Sequence, residues 1–176
     1  MTAVPLVNFI LGVLTIVAQV GVVACIAAFI VKNEAVLRFF SKYALRIAFG
    51  AAFLATLGSL FYSEIAGYEP CKLCWLQRIF MYPQAIILGM ALWAKDRAVA
   101  RYSIVLSAVG AVIAGYHYLL QLGVAPALPC AAVGYSAACS QRFVMQFGYI
   151  TIPLMAFSAF ALILVSMTAA KLHKEE

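Results

Sequence analysis

The stretch WLQRIFMYPQAIILGMALW, from Trp75 to Trp93, decides the fold. On a helix its two tryptophans stand about 27 Å apart, the spacing of aromatic anchors at the two faces of a hydrocarbon layer. Four further apolar runs flank it: Val4 to Val31, Tyr43 to Ala66, Tyr102 to Leu122 and Ile150 to Ala170. Each is long enough to cross about 30 Å of lipid. Apolar residues make up 66% of the chain and charged residues only 10%, with a mean hydropathy of +1.04. A water-soluble domain of 176 residues has no interior large enough for that much hydrocarbon.

In lipid every backbone amide must be paired internally, which leaves helices or closed barrels. The runs are unbroken and lack period-two alternation, so they read as helices. The expected fold is an all-α polytopic membrane protein, a four-helix up-and-down bundle plus one extra N-terminal transmembrane helix on its flank. Residues 1–42 hold that extra helix and a loop, 43–170 the bundle, and 171–176 a tail. Small residues, Gly50, Ala51, Ala55 and Gly58 on the second run and Ala111 and Gly115 on the fourth, suit close helix contact. The first run lacks a positive n-region and is too long for a signal core, so it reads as a retained helix.

The cations set the orientation. Lys32, Arg38, Lys42, Arg46, Lys95, Arg97, Arg101, Lys171 and Lys174 are nine of twelve, and all fall on one face if the segments alternate. The positive-inside rule makes that face cytoplasmic, with the N-terminus outside and the C-terminus inside. The formal charge of +6 then reflects topology and the anionic inner leaflet, and requires no nucleic acid. Ser63 to Cys74 and Gly123 to Tyr149 become outward loops. Pro126, Pro129 and Gly134 break the second, which is expected to lie along the membrane surface and to move.

Four of five cysteines lie on that outer side, where disulfides persist. Cys25, inside the first run, reads as a small buried apolar residue. Cys71-Lys72-Leu73-Cys74 follows Glu69-Pro70, and proline favours a first helical position, so the pair is expected to open the third helix. A thiolate there gains from unpaired amides and the positive end of the helix dipole. Arg78 stands four residues after Cys74 on the same stripe. It can snorkel to headgroups, or hydrogen-bond an acceptor's carbonyl oxygen and stabilise charge as that acceptor is reduced. Cys130 and Cys139, eight residues apart between them, suit either a clip on the loop or a second redox pair that swings to Cys71. His117 reads either as an interfacial histidine satisfied locally or as a proton donor to a quinone.

Cys71-x-x-Cys74-x-x-x-Arg78, the stretch from His117 to Cys130 with its Leu-Gln and prolines, and Gly148 with Pro153 together resemble the DsbB family of bacterial membrane disulfide-generating proteins, including its shorter BdbC-like members. The resemblance covers about Tyr43 to Ala170. It implies that Cys130 and Cys139 oxidise a DsbA-like thioredoxin-fold partner in trans, through a mixed disulfide at Cys130, and that Cys139 then meets Cys71. It further implies that Cys74 faces a membrane quinone, ubiquinone or menaquinone, held by Arg78 and His117; a system of this kind is a known example of thiol exchange. The first helix has no counterpart in the familiar four-helix members. The Cys130 to Cys139 spacing is also short beside the long-loop members.

Two rival readings remain at this stage. A vitamin K epoxide reductase-like bundle also couples thiols to a quinone, but places its loop cysteines before the CxxC helix. A zinc site built from Cys71, Cys74, Cys130 and Cys139 would satisfy tetrahedral coordination but leave Arg78 without a role. No metal is expected.

Overall fold

The computed structural model describes residues 3–125 and 137–172. Five long helices account for most of them: α1 (Ala3–Val31), α2 (Glu34–Leu60, continued by a π turn Phe61–Ile65), α3 (Lys72–Ala94), α4 (Ala100–Gln121) and α5 (Ile152–Leu172). A single 3-10 turn, Ala137–Ser140, lies between α4 and α5. The helices α2, α3, α4 and α5 form a ring in chain order, each packed on the next and α5 closing back on α2. Helix α1 lies outside the ring, in the groove between α5 and α2. The expected bundle with a flanking helix is therefore the observed fold.

Four of the five helices are both long and apolar enough to cross a membrane. The exception is α3, the run that looked clearest in sequence. Its 23 residues provide the length, but Gln77, Arg78 and Gln84 dilute its apolar content. All three are turned inward and buried. Gln84 shows how such a residue is tolerated: its Oε1 accepts from Ser103 and Ser107 of α4 at 2.7 and 3.0 Å, and its Nε2 donates to the Phe80 carbonyl at 3.0 Å. A buried amide with its hydrogen bonds met costs little, and here it joins two helices. Trp75 and Trp93 are both exposed near the ends of α3, as anchors should be.

A second difference concerns the start of α2. Residues expected to form a loop up to 42 are helical from Glu34, because Asn33 caps the helix, its Oδ1 accepting from the Val36 amide at 3.3 Å. Lys32, with φ +54°, ends α1 in the left-handed region, so only two residues join the helices. Arg38, Lys42 and Arg46 thus stand on the first turns of α2 rather than in a loop. With its π turn, α2 runs 32 residues, about 48 Å, and must project beyond the hydrocarbon.

The interior is built by shape as well as apolarity. At Gly110 an added Cβ would meet the Phe160 ring at 2.3 Å, so only glycine lets α4 and α5 approach this closely. Gly115 contributes to the same contact through Phe157. On α1, Cys25 is fully buried against α5, its Sγ 3.9 Å from the Val165 carbonyl oxygen, which agrees with a packing role. Gln19 of α1 donates to Ser158 on α5 at 3.3 Å and accepts from Tyr149 at 3.0 Å, tying the middle of α1 to the bundle.

Candidate redox centre at the head of helix α3

Helix α3 begins at Lys72, and Cys71 is its N-cap, with extended backbone and Sγ accepting from the Cys74 amide at 3.4 Å. Pro70 therefore stands one residue ahead of the cap rather than at the first helical position. The helix still opens at the cysteine pair, as expected, but a sulfur does the capping. The Cys71 and Cys74 sulfurs are 3.1 Å apart and unbonded. Both precede Trp75, outside the span bracketed by the tryptophans.

One proton is shared unequally between them. The Cys71 thiol, donating to Cys74 and buried, is pushed up to about 12. Cys74 is held below the ordinary thiol range, chiefly because it receives that hydrogen bond; burial opposes the shift, and the nearby Arg78 cation assists it. Cys74 is thus the first of the reduced pair to ionise, and Cys71 the one that keeps its proton.

Behind Cys71 the structure is closed and polar. His117, 2% exposed, places Nε2 3.0 Å from the Cys139 carbonyl oxygen and 3.8 Å from the Cys71 sulfur. Its Nδ1 is 2.9 Å from Gln77 Nε2. Since a carbonyl only accepts, Nε2 carries the hydrogen, and Nδ1 accepts from the Gln77 amide. This assigns the neutral tautomer from the network. Cys139 is fully buried and packs with Cys71, Leu73 and Leu120 in one cluster.

Two residues that the sequence reading did not single out fix Cys139 there. Arg142 donates through Nε at 2.8 Å, and also through Nη2, to the Gln121 carbonyl at the end of α4. Gln121 Nε2 in turn donates to the Gln141 carbonyl at 3.0 Å. Tyr62, Tyr68 and Phe143 stack in sequence, with centroids 5.8 and 4.9 Å apart. The second outer loop, expected to slide along the surface, is in its described part from Ala137 onward held to the bundle. Cys130 lies outside the described residues.

In front of Cys74 the structure is apolar and hollow. A cavity of about 300 Å³ is lined by α1, α2, α3 and α5, with Cys74, Arg78 and Tyr82 among its lining residues. Arg78 is buried and donates through Nε and Nη2 to the Ser59 hydroxyl and carbonyl, both at 3.0 Å. The Tyr82 hydroxyl also donates to Ser59, at 3.1 Å. The guanidinium lies over the Trp75 ring at 5.0 Å. Among the described residues Arg78 has no carboxylate partner and Nη1 no hydrogen bond. A buried cation without a carboxylate partner, with a spare donor beside a cavity, suits an acceptor on which negative charge develops.

His117 lines a second, smaller cavity of about 60 Å³, shared with Cys71, Cys74 and Arg78, and not the large one. The structure thus brings Cys71, Cys74, Cys139, Arg78 and His117 together, with Arg78 lining both cavities and His117 only the smaller. The Gly50, Ala51, Ala55 and Gly58 stripe, read as a helix contact, also has another use. All four line the large cavity, and an added Cβ at Gly50 would meet nothing within 4 Å. Gly58 does allow a close approach, since a Cβ added there would meet Leu11 of α1 at 3.1 Å.

A helical membrane bundle with a CxxC pair at the mouth of one helix and a third buried cysteine beside it defines a membrane thiol protein. The family described as disulfide bond formation protein DsbB matches residues 41–170. The chain belongs to that family. It is 47% identical over 124 residues, 70% of this chain and 88% of the relative, to the probable disulfide formation protein C 1 of Bacillus anthracis. It is 42% identical to disulfide bond formation protein C of Bacillus subtilis, over 71% of this chain and 90% of the relative. A probable disulfide formation protein of Metapseudomonas resinovorans is 40% identical, over 65% and 79%. No solved structure matches the chain. As a member of this family the protein is a membrane oxidoreductase of disulfide bond formation.

Proposed function

We propose that the chain reoxidises a DsbA-like thioredoxin-fold partner on the extracytoplasmic side of a bacterial membrane and delivers the electrons to a quinone. The observation that carries this reading is the placement of Cys74 between a buried sulfur partner on one side and an apolar cavity with an unpaired arginine on the other. In the starting state Cys71 is bonded to Cys74 and Cys130 to Cys139. A partner thiolate attacks Cys130 and releases Cys139 as thiolate. Cys139 attacks Cys71, releasing Cys74 as thiolate towards Arg78. The partner's second thiol resolves the mixed disulfide, leaving with its own disulfide and freeing Cys130. Cys130 then attacks Cys139, restoring the loop disulfide and leaving Cys71 and Cys74 with the two electrons.

The residues at the large cavity fit a quinone: an apolar chamber, a thiolate at its end, and Arg78 with Nη1 to donate to a ring oxygen. A quinone bound there supplies a sink for two electrons and two protons. Arg78, held by Ser59 and Tyr82, stabilises negative charge beside Cys74. His117 orders the other side, donating from Nε2 to the Cys139 carbonyl and directing that turn at Cys71, while its basic nitrogen, Nδ1, is turned away from the sulfurs to accept from Gln77. Its part in holding the quinone, implied by the resemblance, is indirect in this reading.

The redox bundle runs from Glu34, where α2 begins, to the end of α5 at Leu172, and α1 is an accessory helix on its flank. The N-terminus lies outside and the C-terminus in the cytoplasm. The zinc reading is sharpened by the convergence of Cys71, Cys74 and His117, whose ligand atoms lie within 4.8 Å of one another. Against it, both His117 ring nitrogens are engaged and Arg78 is left without a task.

The test mixes purified protein, a quinone and a reduced thioredoxin-fold partner, and follows quinone absorbance with the partner's thiol content. Stoichiometric quinone loss and partner disulfide gain are expected. Tightly held zinc with thiols shielded from alkylation, and no quinone turnover, would contradict the proposal.

A further inference from the structure

The large cavity is longer than a ring site needs, and α1 builds part of its wall. Along α2 the cavity-lining positions include Arg46, Gly50, Leu54, Gly58 and Tyr62, one helical stripe of about 24 Å. The stripe starts at the redox end, beside Ser59 and Arg78, and runs inward almost the depth of a hydrocarbon layer. From Leu11 to Ala18, about 10 Å, α1 contributes the facing side. The contact of Leu11 on Gly58 sets the register, so that this wall begins at the level of Ser59. The family match begins only at residue 41, beyond α1.

We infer that α1 is a wall of the quinone-tail channel, with Leu14, Thr15 and Ala18 lining the path of the isoprenoid chain as it leaves the ring bound at Cys74 and Arg78. This rests on the quinone reading above and specifies where the tail runs. Three observations point the same way. The channel is continuous with the redox end. Its polar groups are gathered at its two ends, Arg78 with Tyr82 outside and Arg46 inside. Thr15, the polar residue of α1 on the wall, satisfies itself by donating to the Leu11 carbonyl at 2.7 Å, so it presents its methyl group and not an unmet hydroxyl. Lipid is as apolar as the channel, so the tail gains packing and orientation rather than transfer energy. An α1 defect should therefore discriminate between tails without abolishing ring binding.

The experiment compares the full chain with Thr15→Leu and Ala18→Phe, which fill the channel, and with Val20→Phe, which adds the same bulk at a lipid-facing position that is 62% exposed and off the cavity. Dissociation constants for a single-isoprene quinone and a long-tailed quinone are read from quenching of Trp75 fluorescence, with thermal unfolding as the fold control. The long-tailed quinone is expected to bind Thr15→Leu and Ala18→Phe about tenfold more weakly, while the single-isoprene quinone and Val20→Phe change less than about twofold. Unchanged long-tail affinity in both filling variants would overturn the inference, as would equal weakening of both quinones. If the unaltered chain bound neither quinone, the functional proposal itself would fail.

Discussion

The two sides of the first turn of α3 differ in kind. Towards α4 the space is tighter and polar: His117, Gln77 and Cys139 form a hydrogen-bonded knot with Cys71 beside a cavity of only about 60 Å³, and deeper in the bundle the Phe160 ring packs closely against Gly110. Towards α1 and α2 it is hollow, with small residues on α2 and a buried arginine without a carboxylate partner. A rigid polar knot fixes which sulfurs meet, whereas an apolar hollow accepts a guest. The same CxxC turn is thus anchored to protein on the Cys71 side and faces an apolar cavity on the Cys74 side.

The contrast breaks most completely when a sulfur is removed. Cys71→Ser, Cys74→Ser, Cys130→Ser and Cys139→Ser should each abolish sustained partner oxidation, followed by thiol titration over many turnovers; unchanged turnover in any variant would take that sulfur out of the relay. Arg78→Met should affect only the hollow side. It should raise the KM for quinone at least tenfold, in keeping with the loss of a charge-assisted hydrogen bond of about 1.5–3 kcal/mol. A single turnover of partner oxidation without added quinone should remain intact, and a matching loss there would show that Arg78 instead supports the sulfurs.

Stability offers the next distinction. Gly110→Ala drives a methyl group into the Phe160 ring and should cost about 1–3 kcal/mol, seen as a lower unfolding temperature in detergent. Gly50→Ala, opening into empty space within a helix, should instead be neutral or stabilising by up to about 1 kcal/mol. Equal effects would mean that the two regions are packed alike.

Much of this was legible beforehand because it depends on composition and chain order. Five apolar runs dictated a helical bundle, and Cys71, Cys74 and Arg78 declared their proximity through helical spacing. The hidden parts depend on which way a side chain turns. Nothing local says that Gln77 and Gln84 face inward, yet their polarity is what keeps α3 below the apolarity of its neighbours. Nor does spacing reveal that Ser59 holds Arg78, or that Gln121 and Arg142 pin the turn bearing Cys139, since each pairing joins distant elements. Asn33 was readable as a cap, with an acid following in Glu34, and marks the true start of α2. The small stripe on α2 was visible, but small residues signal helix contact and cavity equally well until the facing side chains are known.

A subtler prediction concerns pH. In the reduced protein, Cys74 is a thiolate below the ordinary thiol range, and Cys71 keeps its proton up to about 12. Alkylation followed by peptide mass spectrometry should therefore modify Cys74 at an undiminished rate as pH falls through the ordinary thiol range. That rate should decline only below the lowered value, while Cys71 stays slow throughout. Coincident profiles centred on an ordinary thiol would remove the asymmetry.

The relay stands or falls on direct exchange between the loop sulfur and the helix cap. In a Cys74→Ser, Cys130→Ser double variant only Cys71 and Cys139 remain at the site. Mild oxidation followed by non-reducing peptide mapping should recover a Cys71–Cys139 disulfide as the main product. Recovery of both cysteines as separately alkylated thiols under those conditions would contradict the account.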